Sequence, residues 1–143
     1  MPLHLIKLAV GAESLADIAE WQAKRLKDAK ARGGKPELLH VTRQKPKRAD
    51  ELLAGGSIYW VVKGFVTARQ RLLDLRDVTR DGVPHCALVL DPLLTPVALR
   101  PRRAFQGWRY LDANSAPPDR KGRGAEAELP EELKRELAAL GLL

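Results

Sequence analysis

The sequence predicts an α+β domain built on a small, strongly bent, mostly antiparallel sheet or barrel of about five to seven strands. The main observation is the stretch from residue 55 to residue 77, where aromatic and β-branched residues follow one another as in strands. Two helical patterns precede this stretch and a third closes the chain. Together these observations predict two N-terminal helices, a central strand pair and a C-terminal helix.

The N-terminal part predicts a strand, a helix, a second strand and a short helix. The first strand is the apolar run 3–8, and Ser14 then offers an N-cap for a helix over residues 15–32. Residues 38–44 alternate as in a strand, and residues 47–54 have the pattern of a short helix that a glycine ends.

The central stretch predicts two strands in succession. Residues 57–63 are nearly all aromatic or β-branched, which is typical of a strand in the middle of a sheet. Residues 65–76 predict a long second strand. Leu72 and Leu73 break its alternation, so a bulge or a strong bend is expected there.

The remainder predicts further strands and then a tail. A turn at Asp81-Gly82 leads to a strand over 84–91, and an edge strand follows over 95–99. Residues 1–111 are thus predicted to form a single α+β domain.

Residues 112–128 are predicted to be a flexible linker because they are rich in proline, glycine and charge. The narrow leucine stripe of residues 129–143 predicts a helix that docks on the domain or pairs with a second copy. A homodimer through this helix is therefore one expectation for the assembly.

Charge and cysteine content restrict the classes of function. The 143-residue chain has a formal net charge of +7. Residues 35–110 carry fourteen basic and seven acidic side chains, so the excess lies on the predicted sheet and indicates a polyanionic partner. Cys86 is the only cysteine, which excludes an intrachain disulfide and favours a reducing compartment. No apolar run is long enough for a membrane span, so a cytoplasmic protein with no membrane partner is expected.

Catalytic and metal-binding patterns are absent from the sequence. Cys86 and His85 are adjacent, so a strand places them on opposite faces and they cannot form a nucleophile–base pair. His4 and His40 stand as isolated as His85, without the spacing of metal ligands. No catalytic residue, metal or cofactor is predicted, and whether the protein is an enzyme stays open.

Basic side chains mixed with aromatic ones suit a groove that follows a nucleic-acid backbone and stacks its bases. The leading prediction is therefore a nucleic-acid-binding module, with RNA as the preferred ligand. Its predicted contacts are Arg43, Lys45, Lys47, Arg48, Lys63, Arg69, Arg71, Arg102, Arg103 and Arg109 for phosphates, and Tyr59 and Trp108 for stacking. The affinity should depend on salt and fall when Arg69 and Arg71 become alanine.

The alternative is a small enzyme that acts on a phosphorylated or nucleotide-like substrate in a basic cleft. Asp91 or His40 would serve as its acid–base group. A deep pocket enclosing one carboxylate or histidine among arginines favours this alternative, whereas a broad, open basic face favours the binding module.

Four segments together resemble an uncharacterised bacterial family of about this length, known only as a domain of unknown function. They are PLHLIKL, VTRQKPKRADELL, GGSIYWVVKG and FQGWRYL. The resemblance covers nearly the whole chain up to Pro118 and implies no activity.

A second resemblance is to the PUA-like barrels, including the ASCH group. A short helix, the segment GGSIYWV, a break at Gly64 and a long strand over 66–75 carry it, although Ser57 replaces the customary aspartate. This resemblance implies a small bent barrel with helices on one side, and RNA or modified bases as ligands.

Overall fold

The computed structural model describes residues 2–33 and 36–119. Seven β-strands and two α-helices occupy these residues. They are β1 His4–Leu8, α1 Leu15–Ala31, β2 Leu38–Thr42, α2 Ala49–Leu53, β3 Ser57–Val62, β4 Phe65–Arg80, β5 Val83–Leu90, β6 Thr95–Pro101 and β7 Trp108–Leu111, with a final 3-10 turn Ala113–Ser115.

The strands form one sheet in the order β2-β5-β4-β3-β1-β7. Only β1 and β3 are parallel, because the chain between them crosses over through α1, β2 and α2. Strand β6 also pairs with the first half of β4. One edge of that half is occupied by β3, so β6 lies along the other edge, which β5 occupies further along β4. No pairing between β2 and β7 closes the sheet within the described residues, so the expected closure into a barrel is not found.

Strand β4 connects the two halves of the sheet. Its first half pairs with β3 and β6, and its second half pairs with β5. The register shifts between Leu72 and Asp74, which confirms the bulge predicted from the two adjacent leucines. An extra residue at this point bends the strand and lets its two halves belong to differently oriented parts of the sheet.

Two tight hairpins fix the register on either side of β4. Lys63 and Gly64 have φ of 48° and 83°, and Asp81 and Gly82 have φ of 51° and 76°. Two successive residues with positive φ are typical of the type I′ turn, whose twist matches that of antiparallel strands. The turn predicted at Asp81-Gly82 is therefore confirmed.

The main core lies between the sheet and the two helices. Helix α1 begins at its N-cap Ser14, whose side chain accepts a hydrogen bond from the Asp17 amide, as the sequence predicts. Ile18 and Gln22 are its buried residues, and Leu52 is the buried residue of α2. The buried side chains of this core are Leu3, Leu5, Ala12, Ile18, Leu38, Leu52, Ile58, Trp60, Val62, Leu72, Cys86, Leu88 and Leu90.

The opposite face of the sheet carries a smaller core. It consists of Ile6, Tyr59, Val61, Val66, Val97 and Leu111. The described chain ends against this side, where Asp119 forms an isolated bridge with Val97.

The predicted arrangement of two N-terminal helices and a C-terminal helix is not matched as a whole, because the described residues hold two helices, α1 and α2. The order strand, helix, strand and short helix before β3 is the one that the sequence predicts. Both helices pack on the same face, because the crossover from β1 to β3 passes over it. The predicted helix over 129–143, its dimer contact and most of the predicted linker lie outside the described residues. Within the described part, no helix has the length and apolar character needed to cross a membrane.

Candidate functional site

The basic side chains converge most closely around the edge strand β7. Two segments flank this strand, one after β2 and one after β6, and two open grooves of about 580 and 640 Å³ lie against it and share Tyr110. We call this region the β7 basic surface. Its cationic and aromatic members are Arg43, Lys45, Lys47, Arg102, Arg103, Phe105, Trp108, Arg109 and Tyr110.

Trp108 and Tyr110 hold in place the segment after β2, residues 43–48. The Tyr110 Oη atom accepts hydrogen bonds from the backbone amides of Lys47 and Arg48 at 3.0 and 3.2 Å. The Trp108 indole N–H donates to the Gln44 carbonyl at 2.9 Å. The two rings meet edge to face with centroids 4.9 Å apart. The aromatic pair is thus a scaffold for the basic segment, and both rings stay half-buried in the groove wall.

Two cations of the segment after β2 have acidic partners. Arg48 forms a bidentate pair with Glu51 at 2.6 and 2.8 Å, and this hydrogen bonding lowers the pKa of Glu51. Lys45 lies 3.1 Å from Asp77. In the part of the chain that the structure describes, Arg43 and Lys47 form no salt bridge, so these two charges are available to a polyanion.

The second groove is lined by an arginine cluster. The guanidinium groups of Arg102 and Arg109 each lie 5.3 Å from the centre of the Phe105 ring. Arg103 lines the same groove, and no acidic residue does. The Arg102 amide donates to the Gly64 carbonyl, which places the turn containing Lys63 at the border of this groove.

Lys63, at the border of the second groove, has an acidic partner. Its ammonium group lies 3.5 Å from Glu13, and both side chains are exposed. An exposed pair of this kind is readily exchanged for a contact with another anion.

Arg69 and Tyr59 line neither groove of the β7 basic surface, although the sequence prediction groups them with its residues. Arg69 forms a bidentate pair with Asp119 at 2.6 and 2.8 Å and donates to the Ser57 hydroxyl at 3.2 Å. The hydrogen bonds from Arg69 lower the pKa of Asp119. The Tyr59 ring belongs to the smaller core, and burial raises the pKa of its hydroxyl. Arg71 is exposed in the neighbouring position of β4.

His4 forms a cluster with Ser57, Tyr59 and Arg69, whereas the sequence presents it only as an isolated histidine. Its Nδ1 atom accepts a hydrogen bond from the Ser57 amide at 3.0 Å, and its ring meets the Tyr59 ring edge to face. Burial, and then the charge of Arg69, lower its pKa. Because Arg69 and Asp119 are fifty residues apart, no local spacing in the sequence could reveal this cluster.

The two alternative acid–base groups of the enzyme hypothesis lie in different places: His40 lines a cavity with Arg25, as that hypothesis expects of its histidine, and Asp91 lies outside this cavity. The cavity lies under α1, where burial, Lys7 and Arg25 lower the pKa of His40 to about 4. The Asp91 carboxylate accepts a hydrogen bond from the Leu93 amide at the end of β5, and Asp91 does not line this cavity.

The other reactive groups show no arrangement for chemistry. Cys86 is buried in the main core, and burial raises the pKa of its thiol. Among residues 2–33 and 36–119, no group of three or more His, Cys, Asp or Glu side chains is arranged to hold a metal ion.

These features define an α+β domain with an open, bent seven-stranded sheet and a basic, aromatic-lined surface at one edge of it. Residues 5–143 match the model of a family described as "Protein of unknown function (DUF1489)", and the chain belongs to this family. Membership confirms the first resemblance found in the sequence. Searches of curated proteins and of solved structures found no match, so the PUA-like resemblance receives no support from them.

Proposed function

We propose that this protein is a nucleic-acid-binding module that binds RNA along the β7 basic surface. The observation that carries the proposal is the combination at β7 of six cations with three aromatic rings. In the part of the chain that the structure describes, Asp77 is the only acidic residue that lines either groove, and it pairs with Lys45. Five cations therefore stand without an acidic partner among the described residues.

The geometry of the two grooves favours a single-stranded polyanion over a compact ligand. Both grooves are open, and Tyr110 connects them, so a flexible chain can pass from Arg43 and Lys47 to the arginines around Phe105. Phosphates along such a chain would neutralise the cations and release counterions. The half-buried face of Trp108 offers a stacking surface beside this path, and such stacking tolerates any base.

The relation to the PUA-like barrels and a cytoplasmic location are part of the same proposal. A short helix leads into β3, a tight turn follows, and β4 carries a bulge, which is the order that the resemblance requires. The lone, buried Cys86 is compatible with a reducing compartment.

The proposal is tested by fluorescence anisotropy with a labelled single-stranded RNA of about 12 nucleotides at several salt concentrations. The variant carries Arg102→Gln, Arg103→Gln and Arg109→Gln. If each arginine contacts one phosphate, the slope of log K against log salt should become shallower by about 2, since each contact to single-stranded nucleic acid contributes about 0.7.

A charge-matched control carries Lys24→Gln, Lys27→Gln and Lys30→Gln, which remove three exposed cations from α1. This control should retain the slope of the unmodified protein. The proposal is wrong if the unmodified protein binds no RNA at low salt, or if both triple variants lose the same affinity. Equal affinity for single-stranded DNA would refute RNA as the specific ligand.

A further inference from the structure

A cavity of about 140 Å³ lies between helix α1 and the strands β1 and β2. Its walls are mostly apolar, with Ile18, Leu38, Trp60 and Leu90 among them. An internal cavity of roughly 150 Å³ is large enough to bind one benzene ring. The space therefore suits a small cyclic or branched apolar group.

The rim of this cavity is unusually apolar for an exposed surface. Val10, Trp21 and Leu39 are 76%, 43% and 39% exposed, and all three line the cavity. They are half of the six large hydrophobic residues that are exposed in the described part of the chain. Such clustering of exposed apolar groups at one opening indicates a surface that is covered by a ligand.

The polar groups of the cavity are cationic or neutral. Lys7, Gln22, Arg25 and His40 line it, and no carboxylate of the described residues does. Within residues 2–33 and 36–119, neither Lys7 nor Arg25 forms a salt bridge. Burial lowers the pKa of Lys7, as expected for an ammonium group that loses water without gaining an anionic partner.

His40 adds a hydrogen-bonding group that lacks a partner. Its Nε2 atom is buried and makes no hydrogen bond in the described structure, while its ring meets the Trp60 ring edge to face at 5.1 Å. A buried polar atom without a partner destabilises the fold unless a ligand or a water satisfies it.

We propose that this cavity binds a small organic anion whose apolar body packs against Trp21 and Trp60 and whose carboxylate lies between Lys7 and Arg25. The anion offsets the two unpaired cations, and the apolar body covers the exposed rim. His40 supplies a neutral hydrogen-bonding partner beside it. The proposal rests on the cavity alone and does not require RNA binding.

The test uses benzoate as the probe, because it combines one ring with one carboxylate. The three tryptophans of the chain serve as reporters in ¹H–¹⁵N NMR spectra. Benzoate should shift the indole signals of Trp21 and Trp60 saturably, and it should shift that of Trp108 less, because Trp108 lies beside Lys7 in the sheet but does not line the cavity. Benzamide, which is similar in shape but uncharged, should bind at least about tenfold more weakly, as should inorganic phosphate, which lacks the apolar body.

Arg25→Gln is the decisive variant, because Arg25 is exposed on α1 and its loss should not impair folding. It should weaken benzoate binding about tenfold. The matched control is Lys24→Gln, which removes the neighbouring exposed charge that does not line the cavity, and it should change the affinity less than about twofold.

Three outcomes would overturn the proposal. One is the absence of a saturable shift of Trp21 and Trp60. Another is equal affinity for benzamide and benzoate, which would reveal an apolar cavity without anion recognition. The third is an equal loss of affinity in Arg25→Gln and Lys24→Gln, which would assign the effect to net charge.

Discussion

Replacement of Gln70 by leucine should destabilise the protein strongly, although Gln70 is a polar residue inside the core. Its side chain is fully buried and makes four hydrogen bonds. The Gln70 Oε1 atom accepts hydrogen bonds from the Trp60 indole N–H at 2.9 Å and from the side-chain amide of Gln22 at 2.7 Å. The Nε2 atom donates to Gln22 Oε1 at 2.7 Å and to the Asp91 carbonyl at 3.1 Å. This network joins α1 to the centre of the sheet.

The magnitude follows from the groups that Gln70→Leu leaves without partners. The buried Trp60 indole N–H and the partly buried Asp91 carbonyl each lose a hydrogen bond. A buried group left without its partner costs about 1–3 kcal/mol, and the partly buried carbonyl contributes at the low end of this range. Gln22 is 8% exposed, so its amide can recover part of its hydration. The leucine side chain offsets some of the loss through apolar burial. The free energy of unfolding should therefore fall by about 3 kcal/mol, and the Tm by about 10 °C in a chain of this size.

The assay is urea unfolding followed by circular dichroism, since the indole that loses its hydrogen bond would itself change the fluorescence. Gln22→Leu should cost about 1 kcal/mol, because Gln70 keeps its bonds to Trp60 and Asp91. The double variant should be less destabilised than the sum of the two single variants by about 1 kcal/mol. A loss below about 1 kcal/mol for Gln70→Leu, or strict additivity in the cycle, would refute the reasoning.

Two further predictions concern pH and a glycine. Because His40 has a pKa of about 4 when folded and 6.5 in the unfolded chain, only the unfolded state takes up a proton between these values. The free energy of unfolding should therefore fall by up to about 3 kcal/mol as the pH is lowered from 6.5 to 4. In urea titrations the His40→Gln variant should lack this fall and show only a remaining fall of the same sign, which comes from His4. At Gly56, an added Cβ would collide with the carbonyl oxygens of Leu3 and Leu52, so Gly56→Ala should cost about 3 kcal/mol in thermal unfolding. Gly82→Ala, which meets open space and only a strained φ, should cost about 1 kcal/mol, and equal losses would contradict the steric explanation.

Much of the fold could be predicted because its local rules are obeyed. The N-cap at Ser14, the turn at Asp81-Gly82 and the bulge after Leu72 each depend on neighbouring residues, and the structure confirms all three. The parallel pairing of β1 with β3 could not be predicted, because it joins segments about fifty residues apart. Periodicity determines which residues share a face of a strand and does not determine which strand lies beside it.

The candidate site was less predictable than the fold for an electrostatic reason. Composition indicates an excess of cations but not which of them an acidic residue neutralises in space. Arg48 is paired with Glu51 three residues away, which helical spacing can reveal. Arg69 is paired with Asp119 across the fold, which nothing local reveals. The structure therefore leaves the arginines around Phe105, with Arg43 and Lys47, as the better candidates for phosphate contacts.

Lys7 lies between the two proposed sites, and its position in the sheet is not explained by core packing. Leu3 and Leu5 precede it on the face that the helices cover, and an apolar residue at this position would continue the core. A half-buried lysine without an acidic partner, beside the unpartnered His40 Nε2, gives two departures from packing rules at one cavity. Such departures are expected where function, and not stability alone, selects the residue. Lys7 is also in register with Trp108 on β7, so its substitution would perturb the cavity and the β7 basic surface together. Arg25 lies on α1, away from that ladder, and therefore reports on the cavity alone.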